Sequence, residues 1–360
     1  DTGLTIFGIG INSVRGSHVE IGNVDSSATV LTVENKDENT ARLQGIYAQD
    51  SSKVSITSDE IGLNILETIK RKDFLNYENY GIYATNNSIV DFNAKTGIGI
   101  YVENDYGIRA DYSSTVSFDS DKIALTVVDT TNSSKKNYGI YAYANGVIDL
   151  NADSDINIYT ENGLGVSSLF GATVSLNANN NYIETTLGKA LNVQNYWQNM
   201  SAVLSLNALD SNYITAKAET LNGKLFGKDF AAYASNSGSI SINAKNDNQL
   251  LGAVYSNSGT DTHGTSVSIK GNRNIVASNT VISNAGALQS DPNFSKNRVI
   301  SALYAQGEDS SITLSANENY LSTFADSSVH TDLERVVWAY DGADINIDGF
   351  TSITTDSYEK

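Results

Sequence analysis

Apolar and polar residues alternate along Tyr138–Glu161 in three short runs, Ile140–Ala142, Val147–Leu150 and Ile156–Tyr159, separated by Asn, Gly and Asp. A period of two is the mark of a half-buried strand. The same three-part unit begins again at Gly165 and at Ala190. A unit of about 25 residues is too small to close a core alone and buries its apolar faces only when stacked on copies of itself.

Anchoring each copy on the Gly of Gly-Ile-Tyr-Ala gives eleven units, at Gly10, Gly45, Gly81, Gly107, Gly139, Gly165, Ala190, Ala231, Ala253, Ala302 and Val336. The position after the anchor is apolar throughout (Ile11, Ile46, Ile82, Ile108, Ile140, Val166, Leu191, Ala232, Val254, Leu303, Val337), so it points inward. The next position then points outward and carries Tyr47, Tyr83, Arg109, Tyr141, Tyr233, Tyr255, Tyr304 and Trp338. The fourth returns inward and is small, as in Ala48, Ala84, Ala110, Ala142, Ala234, Ala305 and Ala339. Asn recurs after the second strand (Asn93, Asn151, Asn177, Asn207, Asn243) and before the third (Asn181, Asn212, Asn248, Asn274, Asn319). Asn tolerates the left-handed corner conformation, and its amide can bond up and down a stack.

No apolar stripe at helical spacing runs for three turns, and Tyr, Ile, Val and Thr favour strands. The prediction is an all-β chain: a single right-handed parallel β-helix solenoid of about eleven coils with three strands per coil. A propeller needs about 40 residues and four strands per blade, and a hexapeptide helix needs a strict six-residue period; neither matches. The additional residues, Glu34–Arg42, Lys70–Asn79, Asp129–Lys136, Glu219–Asp229, Ser278–Arg298 and Ala325–Leu333, all follow the third strand and precede the next anchor. They are expected to leave from one corner as a row of loops, where solenoids commonly make contacts. Several carry aromatics expected to be exposed: Phe74, Tyr77, Phe226 and Phe294.

A formal charge of −18 disfavours nucleic acid and anionic membrane surfaces as partners. The absence of cysteine excludes a disulfide scaffold, a thiol nucleophile and zinc–thiolate sites, and it suits a chain exported unfolded through an oxidising compartment. A single proline in 360 residues agrees with long sheets, since proline cannot donate to a ladder. No run approaches the roughly 18 apolar residues of a membrane span. The chain starts in mid-pattern at Asp1 without a signal peptide, as an excised fragment would.

Nothing in the sequence assembles a catalytic set, and the chain is expected not to be an enzyme and to need no cofactor or metal. Asp119/Asp121 and Asp153/Asp155 are turn acids, while His18, His263 and His330 fall on different coils. Asp344, Asn346 and Asp348 share one strand face but lack the glycine-rich calcium repeat, so they read as a solvated strand. The outer aromatic column (Tyr47, Tyr83, Tyr141, Tyr233, Tyr255, Tyr304, Trp338) has three readings: packing between coils, a strip for stacking carbohydrate or peptide, or a surface lying beneath folded-back loops.

The tandem YGIYA coils, the V-x-L-x-A and N-x-I runs, the acidic balance and the Asn/Ser/Thr-rich turns together resemble the passenger of a monomeric autotransporter adhesin, from Gly10 to the end. That resemblance implies a signal peptide and a C-terminal translocator barrel outside this stretch, with membrane attachment only through that barrel. It also implies display on a Gram-negative cell surface, with roles in attachment, autoaggregation or biofilm. The partner would be a host-surface glycan or protein, or another copy of the chain. The alternatives are a spacer holding a distal binding module and a surface polysaccharide lyase or hydrolase.

Overall fold

The computed structural model describes residues 2–22, 27–35, 42–67, 78–131, 136–195, 200–221, 224–259, 264–283, 298–325 and 333–357. Every regular element among them is a β-strand, and almost all pairings are parallel. The chain divides into two units, Asp1–Ile183 and Glu184–Lys360.

In the first unit the strands Ile9–Val14, Gln44–Gln49, Tyr80–Thr85, Tyr106–Asp111, Asn137–Tyr143 and Gly163–Leu169 pair in succession. Their register sets Ile11, Ile46, Ile82, Ile108, Ile140 and Val166 side by side. From Ile46 onward this file is fully buried, and so are Ala48, Ala84, Ala110 and Ala142 beside it. The alternation in the sequence therefore maps directly onto an internal file of like residues, each large aliphatic contributing about 1.5–3 kcal/mol.

The anchor glycines are required by close approach. A Cβ on Gly45, Gly81 or Gly107 would lie 2.6, 2.4 or 2.6 Å from the carbonyl oxygen of the next anchor glycine. The sharp corner after the short strand is made by consecutive left-handed residues, Asp50–Ser51, Asn86–Asn87, Tyr112–Ser113 and Ala144–Asn145.

Three separate strands per coil hold for only some coils. His18–Ile21 and Thr29–Glu34 are distinct, as are Gly238–Ala244 and Asp247–Leu251, and Thr265–Lys270 and Arg273–Ser278. Elsewhere the expected second and third strands run on as one, in Lys53–Leu66, Ile89–Glu103, Thr115–Val128, Val147–Thr160, Thr173–Thr185, Ala202–Ala216 and Ser310–Ala325. The cause is visible at Phe118 and Ile123. Both are buried, yet their odd spacing would put them on opposite faces of a regular strand. A register shift at Ser120/Lys122 resets the phase without breaking the ladder, as a bulge does. Phe92 and Phe118 stack inside at 4.8 Å between centroids.

The repeated asparagines make the expected amide ladders but not the expected left-handed corners. Asn151, Asn177, Asn207 and Asn243 lie within extended strands, and their amides form ladders: Asn177 donates to Asn151 at 2.8 Å and Asn243 to Asn207 at 3.0 Å.

In the second unit Leu191–Gln194, Phe230–Ser235, Ala253–Asn257, Leu303–Gln306 and Val337–Tyr340 pair in the same manner, aligning Leu191, Ala232, Val254, Leu303 and Val337. A file of fully buried asparagines runs through Asn212, Asn248, Asn274 and Asn319. Asn212 donates to Asn248 at 2.9 Å, Asn248 to Asn274 at 2.9 Å and Asn274 to Asn319 at 3.0 Å. Each amide also donates to a nearby backbone carbonyl, including Asn243, Lys270 and Asp348, so the file satisfies polar groups that burial would otherwise penalise.

Candidate functional site

Register brings Tyr47, Tyr83, Arg109 and Tyr141 into one column on the outer face of the first unit's short strands. A second column, Tyr80, Tyr106 and Tyr138, stands beside it, with centroids 5.2 and 4.8 Å apart. The ladder skips the anchor glycine, so the residue before it lands on the same side as the residue two after it. Tyr80 and Tyr83 accordingly stack at 4.7 Å.

Arg109 sits where these columns converge. Its guanidinium carbon lies 4.9 Å from the Tyr106 centroid, 5.2 Å from those of Tyr83 and Tyr141, and 5.8 Å from that of Tyr80. Nε and Nη2 both reach Asp111 Oδ2 at 2.8 Å, and Nη1 lies 3.4 Å from Glu78. The Tyr83 hydroxyl donates to Asp111 at 3.2 Å.

Burial opposes charge on Arg109, but the hydrogen bond and charge of Asp111 more than offset it and raise its pKa. Burial pushes Asp111 above the ordinary carboxylate range despite Arg109. Burial likewise raises the phenols of Tyr80, Tyr106 and Tyr141, and that of Tyr83 to about 12.

The second unit's column is Tyr233, Tyr255, Tyr304 and Trp338. Tyr233 and Tyr255 stack at 4.6 Å, Tyr255 and Tyr304 at 5.3 Å, and Trp338 meets Tyr304 edge-on at 5.6 Å. Lys189 Nζ lies 3.0 Å from the Tyr233 centroid, and the Arg335 guanidinium lies 4.5 Å from that of Trp338. Some rings stack face to face along the columns (Tyr80 with Tyr106, Tyr106 with Tyr138, Tyr233 with Tyr255), while Tyr141 meets Tyr106 and Tyr138 edge-on. The hydroxyls of Tyr47 and Tyr304 bond within their own strands, to Gln49 and Gln306, whereas that of Tyr83 reaches Asp111 on the next.

Two sequence expectations are corrected. Tyr304 presents no surface: it is 0% exposed, in a cluster with Ile282 and Val299 from the insertion that precedes it, which also touches Phe230, Tyr255 and Trp338. Phe226 is not an exposed loop aromatic either. Its insertion folds as an antiparallel hairpin, Ala218–Leu221 with Lys224–Gly227, which delivers the ring onto Leu251, Ala277 and Phe324. Phe226 is 2% exposed and stacks on Phe324 at 5.1 Å. An apolar ring in an insertion gains more by covering an open seam of core than by standing in water. Phe74, Tyr77 and Phe294 lie outside the described residues.

The insertions do leave from equivalent places, between the end of one third-strand segment and the next short strand, as at Leu66/Tyr80, Val128/Asn137, Ala216/Phe230, Ser278/Leu303 and Ala325/Val337. The feet of the Ser278–Arg298 insertion form an antiparallel pair, Val281–Ser283 with Arg298–Ile300, and the second of these pairs in parallel with Leu333–Glu334. Sequence reasoning missed the Tyr80/Tyr106/Tyr138 column and the Arg109–Asp111 pair. The signal for both was present, in Tyr before Gly at three anchors and in opposite charges two residues apart on one strand face.

Among the described residues no group of three or more His, Asp or Glu side chains is placed to hold a metal ion. No protein-family model, curated protein or solved structure matches this chain.

Proposed function

We propose that each unit is a stretch of right-handed parallel β-helix and that the chain is the passenger of a bacterial surface adhesin, acting by contact rather than by catalysis. Right-handed winding follows from the handedness of parallel crossover connections. The observation carrying the adhesive reading is the corner at which successive insertions depart, with the feet of neighbouring insertions pairing to each other. Each unit thus offers its own row of variable segments on one edge, able to make many weak contacts at once, so that avidity rather than single-site affinity sets adhesion. The target is a host-surface glycan or protein, or a second copy on a neighbouring cell.

The experiment is display of the chain on non-adherent cells, with residues 284–297 or 70–77 replaced by short Gly-Ser linkers. The feet Ile282 and Val299 stay in place because they cover Tyr304. Loss of clumping or attachment with surface level and protease resistance unchanged supports the reading. Adhesion that survives both replacements, or is absent from the unaltered chain, contradicts it and leaves a spacer role.

A further inference from the structure

A polar cleft of about 570 Å³ opens on the second unit, at the corner joining the second and third strand segments of four successive repeats. Its floor is a ladder of Asp210, Asn246, Asn272 and Asn317. Asn246 donates its amide to Asp210, and Asn317 donates to Asn272 Oδ1 at 2.7 Å. The backbone repeats the same order, since Asn246 N–H donates to the Asp210 carbonyl at 2.9 Å and Asn272 N–H to the Asn246 carbonyl at 2.8 Å. Tyr213, Asp247, Arg273 and Glu318 complete the lining.

Each charged group here is held in place. Arg273 grips Asp247 through Nε at 3.2 Å and Nη2 at 2.5 Å, and Glu318 accepts from the Tyr320 hydroxyl at 3.0 Å. A carboxylate offers about four acceptor sites and a guanidinium five donors, so all of them retain capacity toward a ligand.

We infer that this cleft binds a neutral oligosaccharide lying along the stack. Three features select that chemistry. The amides of Asn246, Asn272 and Asn317 beside the carboxylates of Asp210, Asp247 and Glu318 present donors and acceptors in pairs, which match vicinal hydroxyls. The rungs recur at about 4.8 Å, the spacing of paired strands, close to the advance per ring of an extended pyranose chain, so successive sugars meet successive rungs. Tyr213 adds an aromatic wall for the apolar face of a ring, the usual companion of polar groups in such sites. The chain's charge of −18 and the carboxylates of the cleft repel sulfated or uronic-acid polymers, which leaves uncharged sugars.

This assignment goes beyond the adhesive reading and does not depend on the corner insertions. The test is saturation-transfer NMR on the full 360-residue chain with four neutral tetrasaccharides, of glucose, mannose, galactose and N-acetylglucosamine, and one sulfated tetrasaccharide. Transfer to at least one neutral sugar and none to the sulfated one is expected. Arg273→Ala and Asn272→Ala should each raise the dissociation constant at least fivefold with an unchanged circular-dichroism spectrum, and Lys95→Ala in the first unit should not. Transfer to none of the neutral sugars, preference for the sulfated one, or undiminished binding by both folded cleft variants overturns the assignment. Sugar binding without cell clumping would contradict only the adhesive reading, and clumping without sugar binding only this one.

Discussion

Arg109 Nε and Nη2 both donate to one oxygen of Asp111, Oδ2, at 2.8 Å within a column that is otherwise aromatic, and Asp111 is fully buried there. Four tyrosine rings surround the guanidinium. Removing one partner strands the other charge in a low-dielectric site, at a cost of about 3–5 kcal/mol. Arg109→Ala should therefore be strongly destabilising in urea unfolding. Arg109→Tyr with Asp111→Ala, which restores the residue type found at Tyr83 and Tyr141, should recover most of the loss. Equal effects of the single and double changes would show that the pair is not coupled.

The buried phenols give the protein an alkaline limit. Their folded pKa values lie above the unfolded value near 10, that of Tyr83 at about 12 and those of Tyr80, Tyr106, Tyr141 and Tyr255 raised as well by burial. Their contribution is fully present below pH 10 and is lost as pH rises through the folded values. Absorbance of phenolate at 295 nm should still be incomplete near pH 10. A later, cooperative step should coincide with loss of the β signal in circular dichroism. A single smooth titration centred near pH 10 with the fold intact would contradict this.

Asn248 lies in the middle of the buried amide file, accepting from Asn212 and donating to Asn274 and to the Lys270 carbonyl. Asn248→Ala leaves partners unsatisfied and should cost about 1–3 kcal/mol. Asn248→Asp should cost more, because it removes both donors and introduces a buried charge. The urea midpoint measures both, and a change under about 0.5 kcal/mol for either would refute the role of the file.

Gly81→Ala tests the close approach of stacked backbones. The added methyl would meet the Gly107 carbonyl at 2.4 Å, so the two strands must part. A destabilisation of about 1–3 kcal/mol is expected, the range for overpacking. Wild-type stability would mean that the coils can separate freely there.

Phe226→Ala removes the ring that the Ala218–Gly227 hairpin lays over Leu251, Ala277 and Phe324. The expected loss is about 3–5 kcal/mol, with faster proteolysis between Glu219 and Asp229. Unchanged stability together with lost adhesion would restore Phe226 as a contact residue.

The internal file through Ile46, Ile82 and Ile108 was legible because alternation and the recurrent anchor act locally on each coil. The merging of second and third strands was less so. Whether Phe118 and Ile123 are joined by a turn or by a bulge depends on the ladder of the neighbouring coil, which a single unit does not encode. The fates of Tyr304 and Phe226 were hidden for a related reason: an apolar side chain in an insertion has the same sequence signature whether it covers core or meets a partner. The polar cleft escaped notice because Asp210, Asn246, Asn272 and Asn317 look like ordinary turn residues until register stacks them.

The most direct test of in-register stacking uses the absence of cysteine. Asp91 and Ser117 are register partners on adjacent coils, with Ser117 Oγ 3.0 Å from Asp91 Oδ1. Paired parallel strands lie about 4.8 Å apart, within the Cα range of a disulfide of roughly 4.4–6.8 Å. Asp91→Cys with Ser117→Cys should oxidise to an intramolecular disulfide, seen as a mobility shift reversed by reductant. Asp91→Cys with Asp119→Cys, displaced two residues along the strand to roughly 8 Å, should not. Cross-linking of the offset pair and not of the aligned one would show that the coils do not lie in this register.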